Sequence, residues 1–232
     1  MKLLLENWRK FINEEYEPIT TLRIFDFDET IAHTESETRV TAPDGSTVTL
    51  HDQKEFEEYM GAAAAKEGVE AFDAVDKLIE LGYRIDLSDF SIVKDPLEIT
   101  IVTNIMRENP ENAKTYVMTA RRGNSIGPII DYLDEIGIDG GSVRVIATQG
   151  DSKGDVMAKM LKNKIMPDGK SNINRIEYYE DSQKNIEDVL KKICNNPEIE
   201  DIKPLDFELM IHKVINNGAG YELQQIQCGT SN

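Results

Sequence analysis

Two aspartates, Asp26 and Asp28, follow a short apolar run and are separated by a single residue. Carboxylates this close repel each other unless a cation or a shared proton lies between them. A carboxylate can attack phosphorus, which divides one difficult substitution into two easier steps, and a neighbouring carboxyl can give a proton to the leaving oxygen. The spacing is also compatible with a simpler role, in which Asp28 or Thr30 only caps the next helix.

Three later apolar runs are also followed by residues that can do chemistry. Thr119 precedes a turn and a helix, where a hydroxyl and backbone N–H groups can cradle an anion. Lys153 stands at the start of a helix, where a cation opposes the helix dipole, so its position indicates a specific role. Glu180 and Asp181 form a second acidic pair. The ordinary alternatives are helix capping for Thr119 and the acids, and a solvated surface position for Lys153.

These residues follow strand candidates that alternate with helix candidates. The expected strands cover residues 21–27, 114–118, 143–147 and 175–179, with an edge strand at 206–214, and the expected helices cover 124–136, 153–164 and 183–193. This alternation predicts right-handed βαβ units, and therefore an α/β fold with a Rossmann-like parallel sheet flanked by helices. Ligands of such sheets bind beyond the carboxyl ends of the strands, which is where the residues above fall.

One long segment interrupts the alternation. Residues 39–50 have the pattern of a β-hairpin around a Pro43-Asp44-Gly45 turn. Helical patterns follow up to Leu81 and again from Asp95 to Asn109. We therefore expect a catalytic core made of residues 1–31 and 111–232, with residues 32–110 as a small cap insert after the first strand. The insert is expected to lack a hydrophobic core of its own.

Charge and hydropathy exclude some classes of partner. The chain of 232 residues has 43 acidic and 26 basic residues, which gives a formal net charge of −17. General binding to nucleic acid or to an anionic membrane rests on excess Lys and Arg, so this composition argues against both. No apolar run approaches the roughly 18 residues that a membrane-spanning helix needs.

The cysteines and the N-terminus give expectations about the compartment. Cys194 and Cys228 have no metal-ligand spacing, which predicts two free thiols in a reducing environment. The apolar run at the N-terminus ends after three leucines, well short of the roughly 7–15 residues of a signal sequence. The sequence therefore predicts a cytoplasmic protein. An amphipathic N-terminal helix is expected to carry the apolar side chains of Leu4, Trp8, Phe11 and Ile12 on one face.

Taken together, the four strand ends resemble the motifs of the haloacid dehalogenase (HAD) superfamily. The sequence Ile24-Phe25-Asp26-Phe27-Asp28-Glu29-Thr30 fits the DxDx(T/V) signature of that family. Thr119 fits the second motif, Lys153 the third, and Glu180-Asp181 an acidic-pair form of the fourth. The resemblance covers residues 22–28 and 116–188. It departs from the family at Glu29, where many members have Gly, and at Asn185, which does not fit the spaced form of the fourth motif.

The resemblance implies a Mg²⁺-dependent phosphatase, that is, a hydrolase of phosphoric monoesters. Asp26 is then the nucleophile, Asp28 the general acid and base, and Lys153 the cation that neutralises the transferring phosphoryl group. The implied substrate-binding residues are Thr119, Ala120 and Arg121. The implied Mg²⁺ ligands are Asp26, the backbone carbonyl of Asp28 and Asp181, with Glu180 acting through an intervening water.

Several alternatives stay open at the level of sequence. The substrate is either a phosphorylated small molecule or a nucleic-acid end, as in polynucleotide 3′-phosphatases. A phosphotransferase and a catalytically silent binding protein with the same fold are further alternatives. Arg39, with Arg121 or Arg122, could hold a neighbouring phosphate if the insert leaves the site open, whereas helices between His51 and Leu81 could enclose it. The sequence does not indicate the oligomeric state.

Overall fold

A computed structural model describes residues 19–51, 53–69, 74–108, 110 and 112–228 of the chain. The amphipathic helix predicted near the N-terminus, with Leu4, Trp8, Phe11 and Ile12 on one face, lies outside the described residues. Within the ranges that the structure describes, no helix is long and apolar enough to cross a bilayer.

Strands and helices alternate along most of the described chain. The strands, in chain order, are β1 (Thr21–Phe25), β2 (Ala32–His33), β3 (Thr38–Thr41), β4 (Thr47–Leu50), β5 (Arg84–Asp86), β6 (Leu97–Glu98), β7 (Ala113–Thr119), β8 (Arg144–Ala147), β9 (Arg175–Glu180), β10 (Glu208–Asn216) and β11 (Tyr221–Gln227). The α-helices are α1 (Gln53–Glu67), α2 (Ala74–Glu80), α3 (Thr100–Arg107), α4 (Ile126–Glu135), α5 (Lys153–Lys162), α6 (Gln183–Val189) and α7 (Pro197–Glu200). A π-helix over Leu190–Cys194 follows α6 directly, and short 3-10 helices cover Ser88–Ser91 and Gly123–Ser125.

The central sheet has six strands in the order β11-β10-β9-β1-β7-β8. All neighbouring pairs are parallel except β10 and β11, which are antiparallel. The predicted α/β fold with a mostly parallel sheet flanked by helices is therefore confirmed. Phe25, the last residue of β1, is in register with Val117 of β7 and Tyr179 of β9. The carboxyl ends of these three strands consequently open at the same edge.

Side chains of the central strands alternate between two apolar layers, one on each face of the sheet. Ile24 and Tyr178 belong to the layer that packs against α5 and α6. Phe25 and Tyr179 belong to the layer that packs against α3 and α4, and their rings stack with centroids 4.4 Å apart. Burial of each large apolar side chain contributes about 1.5–3 kcal/mol. These layers fix where β1 ends, and hence where the aspartates after it lie.

Helix α3 is part of this core, although the sequence pattern places its residues in the insert. Val102 and Met106 are buried in the same apolar layer as Phe27. Their spacing of four residues puts them on one face of the helix, which turns towards the sheet. Strands β2 and β6 pair at the base of the segment that leaves the core. That segment, residues 34–96, is called the insert from here on.

The insert has an apolar cluster of its own, so the expectation of an insert without a core is wrong. Strands β4, β3 and β5 form an antiparallel sheet, and residues of α1 and α2 pack against it. The buried members of this cluster are Val40, Leu50, Met60, Ala63, Ala64, Leu78 and Tyr83. The predicted hairpin is confirmed, because β3 pairs with β4 and Gly45 occupies the turn with φ 86°, a conformation that favours glycine.

The end of the described chain differs from the sequence prediction in two ways. Strand β10 is not the edge of the sheet, because β11 pairs along its outer side. Strand β11 returns towards the start of β10, and Cys228 beyond it forms a disulfide with Cys194, with Cα atoms 5.8 Å apart. The prediction of two free thiols is therefore wrong. The proximity of these cysteines depends on β11, a strand outside those predicted from the sequence.

Candidate active site

Asp26 and Asp28 lie where the chain turns out of the sheet after β1. The backbone N–H of Asp26 donates to the Tyr179 carbonyl at 2.9 Å, which extends the pairing with β9 by one residue. The chain then turns sharply, and Glu29 has φ 57°. A side chain in this left-handed region costs about 1–2 kcal/mol, which Gly would not incur. The side chain of Glu29 is therefore accommodated at the cost of local strain.

Lys153 is buried between two carboxylates and is not a solvated surface residue. Its side chain is 3% exposed, and its Nζ lies 2.6 Å from Oδ1 of Asp26 and 2.8 Å from Oε2 of Glu180. Burial favours a lower pKa for Lys153, but the charges of Asp26 and Glu180 outweigh it and raise the pKa. The lysine is therefore held as a cation at the first residue of α5.

The position of Lys153 depends on a contact between the start of α5 and helix α6. Asp188 of α6 accepts hydrogen bonds from the Ser152 hydroxyl at 2.7 Å and from the Gly154 N–H at 3.0 Å. A Cβ atom on Gly154 would lie 2.9 Å from the carbonyl oxygen of Asp188 and 2.9 Å from Cβ of Lys192. Gly154 thus permits the close approach of the two helices. The roles of Gly154 and Asp188 do not follow from the sequence, because neither residue signals its partner locally.

Glu180 is fully buried and serves to position its neighbours. Its Oε2 accepts from Lys153 and from the Tyr178 hydroxyl, and its Oε1 accepts from the Ser182 N–H and from Asn185, each at 3.1 Å. Burial favours a raised pKa for Glu180, but the charge and hydrogen bond of Lys153 outweigh it and lower the pKa. Asn185 is therefore a direct support of the acidic pair.

Asp26, Glu180 and Asp181 bring carboxylate oxygens within 4.8 Å of one another. When all three carboxyl groups are ionised, Lys153 compensates one negative charge and a net charge of −2 remains. Burial raises the pKa of Asp26 to about 7, and the charge of Glu180 adds to the effect. Burial and the charges of Asp26 and Glu180 likewise raise the pKa of Asp181. Carboxylate oxygens with two uncompensated negative charges fit a divalent cation, so the cluster could hold a metal ion.

Thr119 and Ala120 lie at the end of β7, next to the aspartates. Thr119 is fully buried, and its Oγ1 accepts from the Arg121 N–H at 3.2 Å. Ala120 is exposed and lines the cavity described below. The structure thus brings these two predicted residues to the same strand edge as Asp26. The side chain of Thr119 is not part of the cavity lining, however.

Arg121 has a different arrangement from the one expected of a substrate-binding residue. Its guanidinium pairs with both carboxylate oxygens of Asp28, with Nε to Oδ2 at 2.9 Å and Nη2 to Oδ1 at 2.6 Å. Nη1 donates to the backbone carbonyls of Phe90 and Ile92, and Nη2 also reaches Thr34 and Ser36. Every nitrogen of the guanidinium therefore has a protein partner. Arg121 fixes Asp28 and fastens the insert to the core instead of presenting donors to a ligand.

The remaining sequence candidates separate into those at the site and those away from it. Thr30 is fully buried and its hydroxyl donates to Asp181 at 3.5 Å, which is a bracing role. Arg122 is exposed at the cavity, and no ion pair of its guanidinium occurs within the part of the chain that the structure describes. Arg39 lies 3.6 Å from Glu37 and does not line the cavity. His33 lies 2.5 Å from Glu29 at the margin of the site.

A cavity of about 270 Å³ lies between the insert and the edge of the sheet where β1, β7 and β9 end. Its core side is lined by Asp26, Asp28, Ala120, Arg121, Arg122, Lys153, Asp181 and Asn185. Its apolar lining from the insert consists of Leu50, Phe56, Leu87 and Phe90. Helix α1 thus contributes to the wall through Phe56, so the hairpin is not the sole cover of the site.

A comparison with protein-family models finds no match to this chain, and comparisons with curated proteins and with solved structures find none either.

Proposed function

We propose that the protein is a Mg²⁺-dependent phosphomonoester hydrolase that acts through an aspartyl phosphate on Asp26. The observation that carries this proposal is the buried ion pair of Lys153 with Asp26 and Glu180 at the end of β1, beside the clamped carboxyl of Asp28. A lysine buried against a carboxylate at a strand end supplies fixed positive charge where a transferring phosphoryl group gathers negative charge. The HAD-like order of the four motifs supports the same reaction.

In the first step, an oxygen of Asp26 bonds to phosphorus while the bond from phosphorus to the leaving oxygen breaks. The nucleophile has to be ionised, and burial raises the pKa of Asp26 to about 7. Positive charge next to it therefore matters for reactivity as well as for binding. The ammonium of Lys153, 2.6 Å from Oδ1, provides part of that charge without any rearrangement.

Asp28 carries the proton in both halves of the reaction. Its carboxyl gives a proton to the leaving oxygen, and then takes one from the water that attacks the aspartyl phosphate. Inorganic phosphate is released and Asp26 is regenerated. Arg121 and the Thr34 hydroxyl, which lies 3.0 Å from Oδ1, keep this carboxyl in one orientation. A fixed donor is valuable because proton transfer requires hydrogen-bond distance to the reacting oxygen.

Several groups around Asp26 could hold the cation and the phosphoryl group. Asp26, the backbone carbonyl of Asp28 and Asp181 would hold Mg²⁺, while Glu180 would act through water because its oxygens already accept four hydrogen bonds. When bound, the ion supplies charge neutralisation to the phosphoryl oxygens. The Ala120 N–H, at the cavity wall, would bind a phosphoryl oxygen, and the buried Thr119 hydroxyl would order this turn by accepting from the Arg121 N–H.

The experiment is a phosphate-release assay on a panel of monoesters with Mg²⁺, using the wild type, Asp26→Asn and Asp131→Asn. Asp131 is an exposed residue of α4 that does not line the cavity, so it is a matched control for the loss of one carboxylate. We expect release by the wild type and by Asp131→Asn, and none by Asp26→Asn. A purified Asp26→Asn protein that still releases phosphate would remove Asp26 as the nucleophile. Absence of release by the wild type from every monoester would remove the proposed function.

A further inference from the structure

The insert presents four apolar side chains to the cavity that contains the catalytic carboxylates. Leu50 ends β4 and Phe56 lies in α1. Phe90 lies in the 3-10 helix at Ser88–Ser91, and Leu87 directly precedes that helix. These residues come from separate elements of the insert, yet all four line the same cavity. Leu50 and Phe56 also pack in the apolar cluster of the insert, so the wall is built on a folded support.

Phe90 is held in place from the core side. The guanidinium carbon of Arg121 lies 5.2 Å from the centroid of the Phe90 ring, and Nη1 of Arg121 donates to the Phe90 carbonyl at 3.3 Å. A cation over one face of an aromatic ring stabilises that position of the ring. The aromatic wall is therefore tied to the same side chain that orients Asp28.

We infer that the substrate is a small phosphomonoester whose organic part carries a planar apolar ring, which binds against Phe56, Phe90, Leu50 and Leu87. This inference rests on the proposed function, because it places the phosphate of that substrate at Asp26. Binding sites for small molecules combine apolar and aromatic walls with a few polar groups that fix orientation, and this cavity has that division. Aromatic walls favour planar rings because offset stacking and edge contacts add to simple burial.

The size and charge of the site argue against the end of a nucleic acid as substrate. The cavity of about 270 Å³ is near the lower limit for small-molecule sites, which start at about 300 Å³. The formal net charge of −17 repels a polyphosphate backbone outside the cavity. Arg39, which could have held a neighbouring phosphate, lies away from the cavity lining. A small ring-bearing ester satisfies the wall without requiring a basic surface.

The test compares 2-phenylethyl phosphate with ethyl phosphate, two alkyl esters that differ in the ring and have similar leaving groups. We expect kcat/KM to be about tenfold or more higher for the ring-bearing ester, because the ring leaves water for an apolar wall. Phe56→Ala should abolish most of this ratio, because the loss of kcat/KM falls mainly on the ring-bearing ester. Tyr59→Ala is the matched control, since Tyr59 packs on the same insert cluster but does not line the cavity.

The remaining outcomes distinguish failure of the ring site from failure of the proposed hydrolase function. Equal kcat/KM for the two alkyl esters, with phosphate still released, would overturn the ring site and leave the hydrolase intact. Faster turnover of a 3′-phosphorylated oligonucleotide than of the matching nucleoside 3′-monophosphate would overturn the small-molecule assignment. Calorimetric titration of Asp26→Asn with both alkyl esters measures the ring site without turnover. Tighter binding of 2-phenylethyl phosphate supports the ring site even if the hydrolase proposal fails, and equal affinities would reject the ring site.

Discussion

Arg121 and Asp28 form a bidentate ion pair, and the same guanidinium donates to the backbone carbonyls of Phe90 and Ile92 in the insert. One buried side chain therefore holds both the candidate proton donor and the segment that covers it. A planar guanidinium suits this position because it presents five N–H donors in a fixed arrangement. Orientation of Asp28 and attachment of the insert are consequently coupled through Arg121.

Replacement of Arg121 by lysine should expose this coupling. Lysine keeps the charge but cannot form the bidentate pair and the two carbonyl bonds together. We expect a lower melting temperature and a lower kcat, with a larger loss on an alkyl phosphate than on an aryl phosphate, whose leaving group needs less help from Asp28. Arg121→Ala should lower the free energy of unfolding, because the insert carbonyls of Phe90 and Ile92 lose their donor and Asp28 loses its partner.

The neighbouring Arg122 provides the control for Arg121. Its side chain is exposed, so Arg122→Lys should leave the melting temperature unchanged. Kinetics with the two types of ester, together with thermal unfolding, check the prediction. If Arg121→Lys matched Arg122→Lys in both measurements, the ion pair would have no role in positioning Asp28.

Stability in EDTA should depend on pH through Asp26. Burial and Glu180 raise the pKa of Asp26 from 3.8 to about 7 in the folded protein, so the folded state binds this proton more tightly than the unfolded state. The resulting stabilisation is fully present below the unfolded pKa and is lost as the pH rises through about 7. A rise of this size corresponds to about 4 kcal/mol, and the raised pKa of Asp181 acts in the same direction.

Denaturant unfolding between pH 4 and pH 8, with EDTA, measures this dependence. Asp26→Asn cannot ionise, so its free energy of unfolding should fall less over this range than that of the wild type. Addition of Mg²⁺ at neutral pH should restore stability to the wild type, because a ligand that binds only the folded state stabilises it. Parallel curves for the two proteins would show that the carboxyl of Asp26 does not titrate in this range.

Loss of Asp181 should weaken cation binding. Asp181 is one of the three carboxylates that converge, and Thr30 is its bracing partner. We expect Asp181→Asn to raise the dissociation constant for Mg²⁺ by at least about tenfold in a calorimetric titration. Asp151→Asn, which changes an exposed residue before α5, should leave the constant unchanged. If Asp181→Asn bound Mg²⁺ with an unchanged dissociation constant, Asp181 would not be a ligand and Glu180 would be the next candidate.

Gly154→Ala should displace Lys153, although the added methyl group does not itself enter the site. The added Cβ would lie 2.9 Å from backbone and side-chain atoms of Asp188, so α5 and α6 have to separate. Such crowding costs about 1–3 kcal/mol, and we expect phosphatase activity to fall with stability. Gly127→Ala, in α4, meets nothing within 4 Å and should keep activity while gaining helix propensity. Full activity of Gly154→Ala would show that Lys153 does not need this contact.

The sequence predicts the residues at strand ends better than the residues that hold them. Asp26, Lys153 and Asp181 come together because parallel strands end at one edge, and that follows from the alternation of strands and helices alone. The clamp by Arg121 does not follow, because its partners lie in segments far away along the chain. The support of α5 by Asp188 is likewise a contact between two helices that no local pattern announces.

The insert and the last strand show the same limit in the fold itself. The hairpin is predictable because its turn residues and alternation are local. The apolar cluster of the insert is not, because its members come from β3, β4, α1 and α2 and no single segment is strongly apolar. The disulfide between Cys194 and Cys228 depends on β11, a strand that is not among those predicted from the sequence.

The two borders of the central sheet are protected against pairing with other chains by different means. An unpaired strand offers free N–H and C=O groups that can recruit a strand of another molecule. At one border, β8 has only four residues, so it offers a short template. At the other, the border strand is β11 itself, whose exposed side chains are Glu and Gln, and the bond between Cys194 and Cys228 anchors its far end to the π-helix that ends at Cys194. Reduction of this bond would let β11 fray from the sheet. The outer side of β10, a longer and more apolar strand, would then be open to pairing with another chain.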